Sequence, residues 1–439
     1  MLIEFTVANY RSFRNEATLS MVASPLTTGN GESDDRNLFV APDDLSLLTS
    51  AAIYGANASG KSNLISAISF MIRFVKTSQE STERVGGIKT ESFRFTPHAP
   101  NQPSFFEVLF IVEDQHYRYG FEVTTERVEA EWLHILPTTG KSNAHEESTD
   151  EYVLFDRNGD TITLGEGFEA EGRDLKNKTR SNALFLSVVA QFDGVVAQKV
   201  LEWFRNCNAL IGLSDHSSLP YTIRQMRDSE MKSKIVEFVR RMDLGIEDIQ
   251  LSTIKETPEL PQGLREEVQQ ALSVLLDDSD LERVSVQTAH RLYNDEGDLI
   301  GQDFFTMEKH ESEGTQKLFA FSGPLLDTLE KGKILIVDEL DARLHPLMTR
   351  QIVQLFNDPE TNPHHAQLVF STQDTNQLDN RLLRRDQVWF IEKERQGASV
   401  LYSLVEFKER DNAVYDKDYV LGRYGAIPYL GDIRQVVME

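Results

Sequence analysis

Gly55-Ala56-Asn57-Ala58-Ser59-Gly60-Lys61-Ser62 fits the pattern G-x-x-x-x-G-K-[ST] at every position. Upstream lies the apolar run Leu47-Leu48-Thr49-Ser50-Ala51-Ala52-Ile53-Tyr54, and downstream Asn63 to Val75 carries apolar residues at helical spacing. Strand, glycine loop and helix in that order are what a phosphate-binding loop requires. Glycine lets the backbone wrap an oligophosphate closely, since a Cβ would block both the approach and the turn. The amides of Ala56, Asn57, Ala58 and Ser59, with the helix start at Asn63, then aim positive partial charge at the phosphates. Lys61 is expected at the β- and γ-phosphates and Ser62 on magnesium, so ATP and Mg2+ are the expected cofactors.

Far downstream, Lys333-Ile334-Leu335-Ile336-Val337-Asp338-Glu339 reads as a buried parallel strand ending in two acids. Such a strand delivers its last residues to the carboxyl edge of the sheet, beside the phosphate loop. Asp338 is expected to organise magnesium and its waters, and Glu339 to orient or deprotonate the attacking water. Lys61 and Asp338 are 277 residues apart (338 − 61), so the nucleotide core is split by an inserted lobe. Gln367-Leu368-Val369-Phe370-Ser371-Thr372 reads as a second buried strand, running into Gln373-Asp374.

Between the two halves comes Glu311-Ser312-Glu313-Gly314-Thr315-Gln316-Lys317-Leu318, followed by a helical stretch, Leu318 to Leu329, with Pro324 as a candidate kink. Ser312 lies 26 residues before Asp338 (338 − 312). On these residues the chain resembles the ABC-type ATPases, including SMC and RecF-like heads, whose L-S-G-G-Q signature opens a helix before the acidic strand. The resemblance implies that Ser312 and Gly314 reach a γ-phosphate in the opposite subunit, with ATP sandwiched between two heads. Glu311 and Glu313 depart from that signature. Leu340-Asp341-Ala342-Arg343-Leu344-His345-Pro346 resembles the loop after the acidic strand, and by that likeness Asp341 contacts the partner subunit. Relatives carry histidine where this chain has Gln373, a residue that senses the γ-phosphate. Glutamine donates a hydrogen bond there but cannot become cationic, so slow or partner-dependent hydrolysis is expected. Asn9-Tyr10-Arg11-Ser12-Phe13 resembles a stretch that such heads place against the nucleotide, which makes Arg11 and Ser12 candidate contacts. Gln191, in Phe185-Leu186-Ser187-Val188-Val189-Ala190-Gln191-Phe192, is a candidate lobe-linking glutamine on magnesium.

Composition bounds the rest. A chain of 439 residues can bury a large core, and 40% apolar with 26% charged residues is an ordinary globular balance. No segment approaches the roughly 18 apolar residues of a membrane span, and the start lacks the basic region and apolar core of a secretory signal. One cysteine, Cys207, excludes an internal disulfide and a cysteine-based zinc cluster, and a reducing, cytoplasmic setting is expected. Net charge of −25 opposes a surface that attracts DNA as a whole, while leaving a local basic strip open. Residues 143–175 form an acidic run, from Glu146 and Glu147 to Glu171 and Asp174, which reads as a solvated face or as a dock for a basic protein.

The fold expected is α/β: an ABC-type head with a mixed sheet, a flanking antiparallel subdomain and an inserted helical lobe. Residues 1–192 are assigned to the amino-terminal part of the head, 193–310 to the lobe and 311–439 to the carboxyl-terminal part. Strands are expected over 105–112, 117–124 and 130–136, helical pattern from about 182 to 251 and over 264–276, and strands again over 284–292 and 301–308. The start Phe5–Phe13, Ala183–Ser187, Asp386–Lys393 and the tail Leu421-Gly422-Arg423-Tyr424-Gly425-Ala426-Ile427-Pro428 occur together in the RloA/AbiL-type ATPases of anti-phage and abortive-infection operons. The chain is similar to these nearly end to end. That resemblance implies an ATPase that forms a homo-oligomer and acts as sensor or regulator of a separate effector, a TOPRIM-like nuclease, since the 46 residues after Lys393 (439 − 393) leave no space for that domain. It identifies no phage trigger. A RecF-like repair head and an ATP-binding scaffold with little turnover stand as alternatives.

Overall fold

The computed structural model describes residues 1–27, 33–79, 87–137, 151–210, 218–242, 245–255, 282–408 and 414–428. The helix expected over 264–276 and the acidic residues 143–150 lie outside these. The chain divides into two compact units, one of Met1–Asp215 with Asp327–Glu439 and one of His216–Leu326.

In chain order, β1 (Leu2–Ala8) and β2 (Ala17–Ser20) are followed by a small hairpin of β3 (Leu38–Val40) and β4 (Ser46–Leu48). Next come β5 (Ser50–Tyr54) and the helix Lys61–Thr77. A meander follows, of β6 (Ser104–Val112), β7 (Gln115–Val123), β8 (Val128–Leu136), β9 (Tyr152–Asn158) and β10 (Thr161–Leu164). Helices Phe185–Gln191 and Val195–Arg205 lead to β11 (Cys207–Leu210). The second unit holds helices Ser218–Gln225 and Ser229–Arg241 with β12 (Ile246–Lys255), β13 (Glu282–Tyr293) and β14 (Leu299–Thr306). The return to the first unit brings β15 (Ile334–Val337), β16 (Gln367–Ser371), β17 (Val388–Lys393) and β18 (Ser399–Ser403).

Beside the β3–β4 hairpin, the first unit holds two larger sheets. One has the order β11-β15-β16-β5-β17-β18, parallel except for the final pair. The other is antiparallel, β10-β9-β8-β7-β6-β1-β2. Helix Lys61–Thr77 is apolar almost all round, burying Leu64, Ile65, Ala67, Ile68, Phe70, Met71, Ile72, Phe74 and Val75, as a helix covered on both sides must. Phe70 and Phe74 stack at 5.5 Å, and Phe70 meets Phe106 of the antiparallel sheet at 4.9 Å. Each such ring contributes about 1.5–3 kcal/mol on burial. The buried Gln367 side chain bonds both Leu2 N (2.6 Å) and Leu2 O (3.0 Å), tying the two sheets together where apolar packing alone would leave β1 free to slide.

Two stretches of the expected helical pattern are strands. Cys207–Leu210 pairs in parallel with β15, and Ile246–Lys255 pairs antiparallel with β13. A register shift between Ile246 and Asp248 puts an extra residue in β12. Ile246 and Ile249 are both buried, three apart as on a helix. A bulge produces that spacing in a strand.

Candidate functional site

The carboxyl ends of β5, β15 and β16 converge on one edge, with β16 between the other two. After Tyr54 the backbone enters the glycine loop. Gly55 has φ +156° and Gly60 φ +122°. A Cβ on Gly60 would fall 2.4 Å from Ser399 Oγ and 2.8 Å from Ser12 Oγ, and one on Gly55 would fall 2.4 Å from Ile391 O. Glycine is therefore required on two sides of the loop. Ala56 is half-buried, Asn57 and Ala58 are exposed, and Ala58 takes φ +61°.

No side chain caps helix Lys61–Thr77, and its first turn carries no acid. Its leading amides are thus left for an anion. Lys61 is buried, and its ammonium donates to Gly55 O (2.7 Å) and Ala56 O (3.2 Å). Burial pulls the Lys61 ammonium below the usual lysine range, while the negative charges of Asp338, Glu339 and Asp341 work the other way. Asp338 and Glu339 follow β15 at the same end of the parallel sheet as the loop that follows β5. Ser62 is exposed at the helix start.

Asp338 follows β15 and is buried. Ser371, the last residue of β16, fixes it by donating to Oδ1 at 2.6 Å, and its hydroxyl accepts from Glu339 N at 2.8 Å. Glu339 takes φ +52°, a conformation that costs a non-glycine residue and persists only when held. Asp341 accepts from Gln373 N at 3.3 Å, which ties the loop after β15 to the loop after β16. The Gln373 side chain is exposed. Two buried polar atoms at this edge, Ser59 Oγ and Asp341 Oδ1, have no hydrogen-bond partner. Orphaned polar atoms, uncapped amides and a lysine folded onto carbonyls fit a site built for a phosphate chain with its metal.

Arg11 and Ser12 lie in a tight turn in which Tyr10 and Phe13 exchange backbone hydrogen bonds of 2.9 and 2.8 Å. Ser12 reaches the loop: its Oγ accepts from Asn63 Nδ2 (2.8 Å), and its carbonyl accepts from Ser399 N (2.7 Å). Arg11 instead pairs with Glu91 at 3.0 Å. Gln191 ends a helix and is exposed. That helix meets the loop helix at its far end, where Ser187 Oγ donates to Val75 O at 2.7 Å. Val75 is thirteen residues past Ser62 (75 − 62), roughly 20 Å along the axis. One further turn leaves Gln191 far from Ser62, so the structure does not bring it to the metal position. Ser312 belongs to the second unit, where its Oγ accepts from Thr315 N at 3.2 Å and caps helix Glu313–Lys331, with Gly314 in the first turn. Ser371 and Ser399 were invisible as site residues in the sequence, since a serine at a strand end carries no pattern.

A family model described as "AAA domain, putative AbiEii toxin, Type IV TA system" matches residues 50–379. No curated protein sequence matches the chain. Among solved structures, the SMC head domain from Thermotoga maritima is similar at 12% identity and a TM-score of 0.40, over 92% of this chain and 98% of that one. The recombination mediator protein RecF with ATP is similar at 13% identity and a TM-score of 0.37, over 92% and 99%. Among the described residues no helix is long and apolar enough to cross a membrane.

Proposed function

The chain belongs to this AAA-domain family, and from that premise we propose that it is an Mg-ATP-dependent ATPase of the ABC type. Its hydrolysis cycle would control a separate toxic effector, a TOPRIM-like nuclease, in anti-phage defence. The catalytic part is supported by one observation: the glycine loop with Lys61 after β5, and Asp338 and Glu339 held by Ser371 after β15, lie at the same end of one parallel sheet. Lys61 would leave the carbonyls of Gly55 and Ala56 for the β- and γ-phosphates. Ser62 and Asp338 would hold Mg2+, which supplies charge neutralisation to the transferred phosphoryl group. Glu339 would take the proton of the attacking water, with Gln373 donating a hydrogen bond beside it. Ser312 and Gly314 are assigned to the nucleotide of a second head in an ATP-sandwiched dimer, and Asp341 to its contact surface. The defence role draws support from the family description, which names a toxin of a type IV system.

Phosphate release by the wild type, Lys61→Ala and Glu339→Gln tests the reading. Both variants should lose at least about a hundredfold in turnover, the scale of a positioned base or phosphate ligand. Turnover in Glu339→Gln equal to wild type would refute the assignment of the base.

A further inference from the structure

We infer that Glu311 is a positioning residue whose carboxylate anchors the turn Glu311-Ser312-Glu313-Gly314 to β13. The anchor holds Ser312 ready for the γ-phosphate of a second head, and so rests on the sandwich reading above. Burial in this turn is the reverse of what an ordinary loop shows. Ser312 is exposed, whereas the Glu311 side chain, which stands where the signature has leucine, is only 12% exposed. An acid is turned inward only where hydrogen bonds compensate its lost hydration. Here they come from β13. Thr288 Oγ1 donates to Glu311 Oε1 at 2.6 Å, and His290 Nε2 meets the same oxygen at 2.7 Å. Thr288 and His290 are two apart on the strand, so both side chains leave the same face. Thr288 is fully buried, and the Phe305 ring of β14 packs against the imidazole at 5.3 Å and 69°.

The anchor is continuous with the serine. Gln316 Nε2 donates to Glu311 O (2.9 Å) and Gln316 N to Ser312 O (3.0 Å), which closes the turn onto the start of helix Glu313–Lys331. Ser312 Oγ accepts from Thr315 N at 3.2 Å and lies 2.9 Å from Thr315 Oγ1. A serine hydroxyl has two acceptor sites and one proton. With Thr315 filling both acceptor sites, the proton of Ser312 is left for an incoming phosphate oxygen. Ordering a loose turn on contact would subtract from that interaction, so the donor must already be in place. The charge-assisted bonds that β13 gives Glu311 supply the rigidity. A leucine would bury area without direction, whereas the carboxylate fixes the turn against one strand.

Sedimentation of the chain carrying Glu339→Gln, with Mg-ATP, gives the assembly constant that tests the proposal. In that background Ser312→Ala and Glu311→Ala should each weaken assembly about tenfold or more, the scale of a hydrogen bond to a charged group. Glu311→Gln, whose amide oxygen still accepts from Thr288 and His290, should stay close to the parent. Thr288→Val, which removes one bond at nearly constant volume, should weaken assembly in the same direction as Glu311→Ala. Adding Glu311→Ala to Ser312→Ala should weaken it no further, because the two act as one. Loss in Ser312→Ala with parent-like assembly in Glu311→Ala would overturn the anchor and keep the sandwich, as would a full additional loss in the double variant. A parent whose mass does not respond to Mg-ATP would overturn the sandwich reading, and the anchor with it.

Discussion

Lys61 sits in an environment chosen for a ligand rather than for stability. Its ammonium is buried against two carbonyls, and burial works against its charge. Lys61→Met should abolish ATP binding yet melt no lower than wild type, measured calorimetrically, because an apolar side chain removes that desolvation. Ser371 carries a second residue-scale expectation. Its hydroxyl fixes Asp338 and the Glu339 amide at once. Ser371→Ala should cost about 1 kcal/mol of stability and roughly tenfold or more in turnover, through displacement of both acids. A larger loss of stability than of activity would make Ser371 structural only. The glycine loop, Lys61, Asp338 and Glu339 stand out in the sequence because a contiguous motif and an acid pair ending an apolar strand each carry their own pattern. Ser371 and Ser399 do not, because their partners, Asp338 and Glu339 for the first and Ser12 and Ser59 for the second, are brought to them only by the fold.

Among the elements, helix Glu313–Lys331 contains Pro324, which lacks the N–H that Ala320 O would accept four residues earlier. Thr222 Oγ1 fills the place, donating to Ala320 O at 2.6 Å. Thr222→Val should therefore destabilise by about 1–3 kcal/mol by orphaning a buried carbonyl. Adding Pro324→Ala should recover most of it, since alanine restores the helical donor. Equal stability of Thr222→Val and wild type in denaturant titration would remove this account. The helix itself was readable from its apolar spacing. β12 was not, because its bulge sets Ile246 and Ile249 at the three-residue spacing of a helix. The helix ending at Gln191 falls inside the helical pattern expected from about 182 to 251.

At the scale of the molecule, one core spans both sheets of the first unit and encloses Cys207. Burial pushes the Cys207 thiol from 9.0 up to about 12. Below pH 9 the folded and unfolded chains both keep the proton, and the thiol does not affect stability. Between pH 9 and 12 only the unfolded chain releases it, so stability falls with rising pH, by at most about 1.4 kcal/mol per pH unit from this group. Cys207→Ala should show a shallower decline than wild type between pH 9 and 11 in thermal melts. The split of the chain into two units follows from the 277 residues between the halves of the site. The assembly that would join Ser312 to the nucleotide of a second head is the claim on which the whole account turns. The most direct test is the molar mass of Glu339→Gln by light scattering, with and without Mg-ATP. Mass doubling or more with ATP, and returning to the starting value when Lys61→Ala is added, is the result predicted. A mass unchanged by ATP under conditions where ATP binds would contradict the ATP-sandwiched switch.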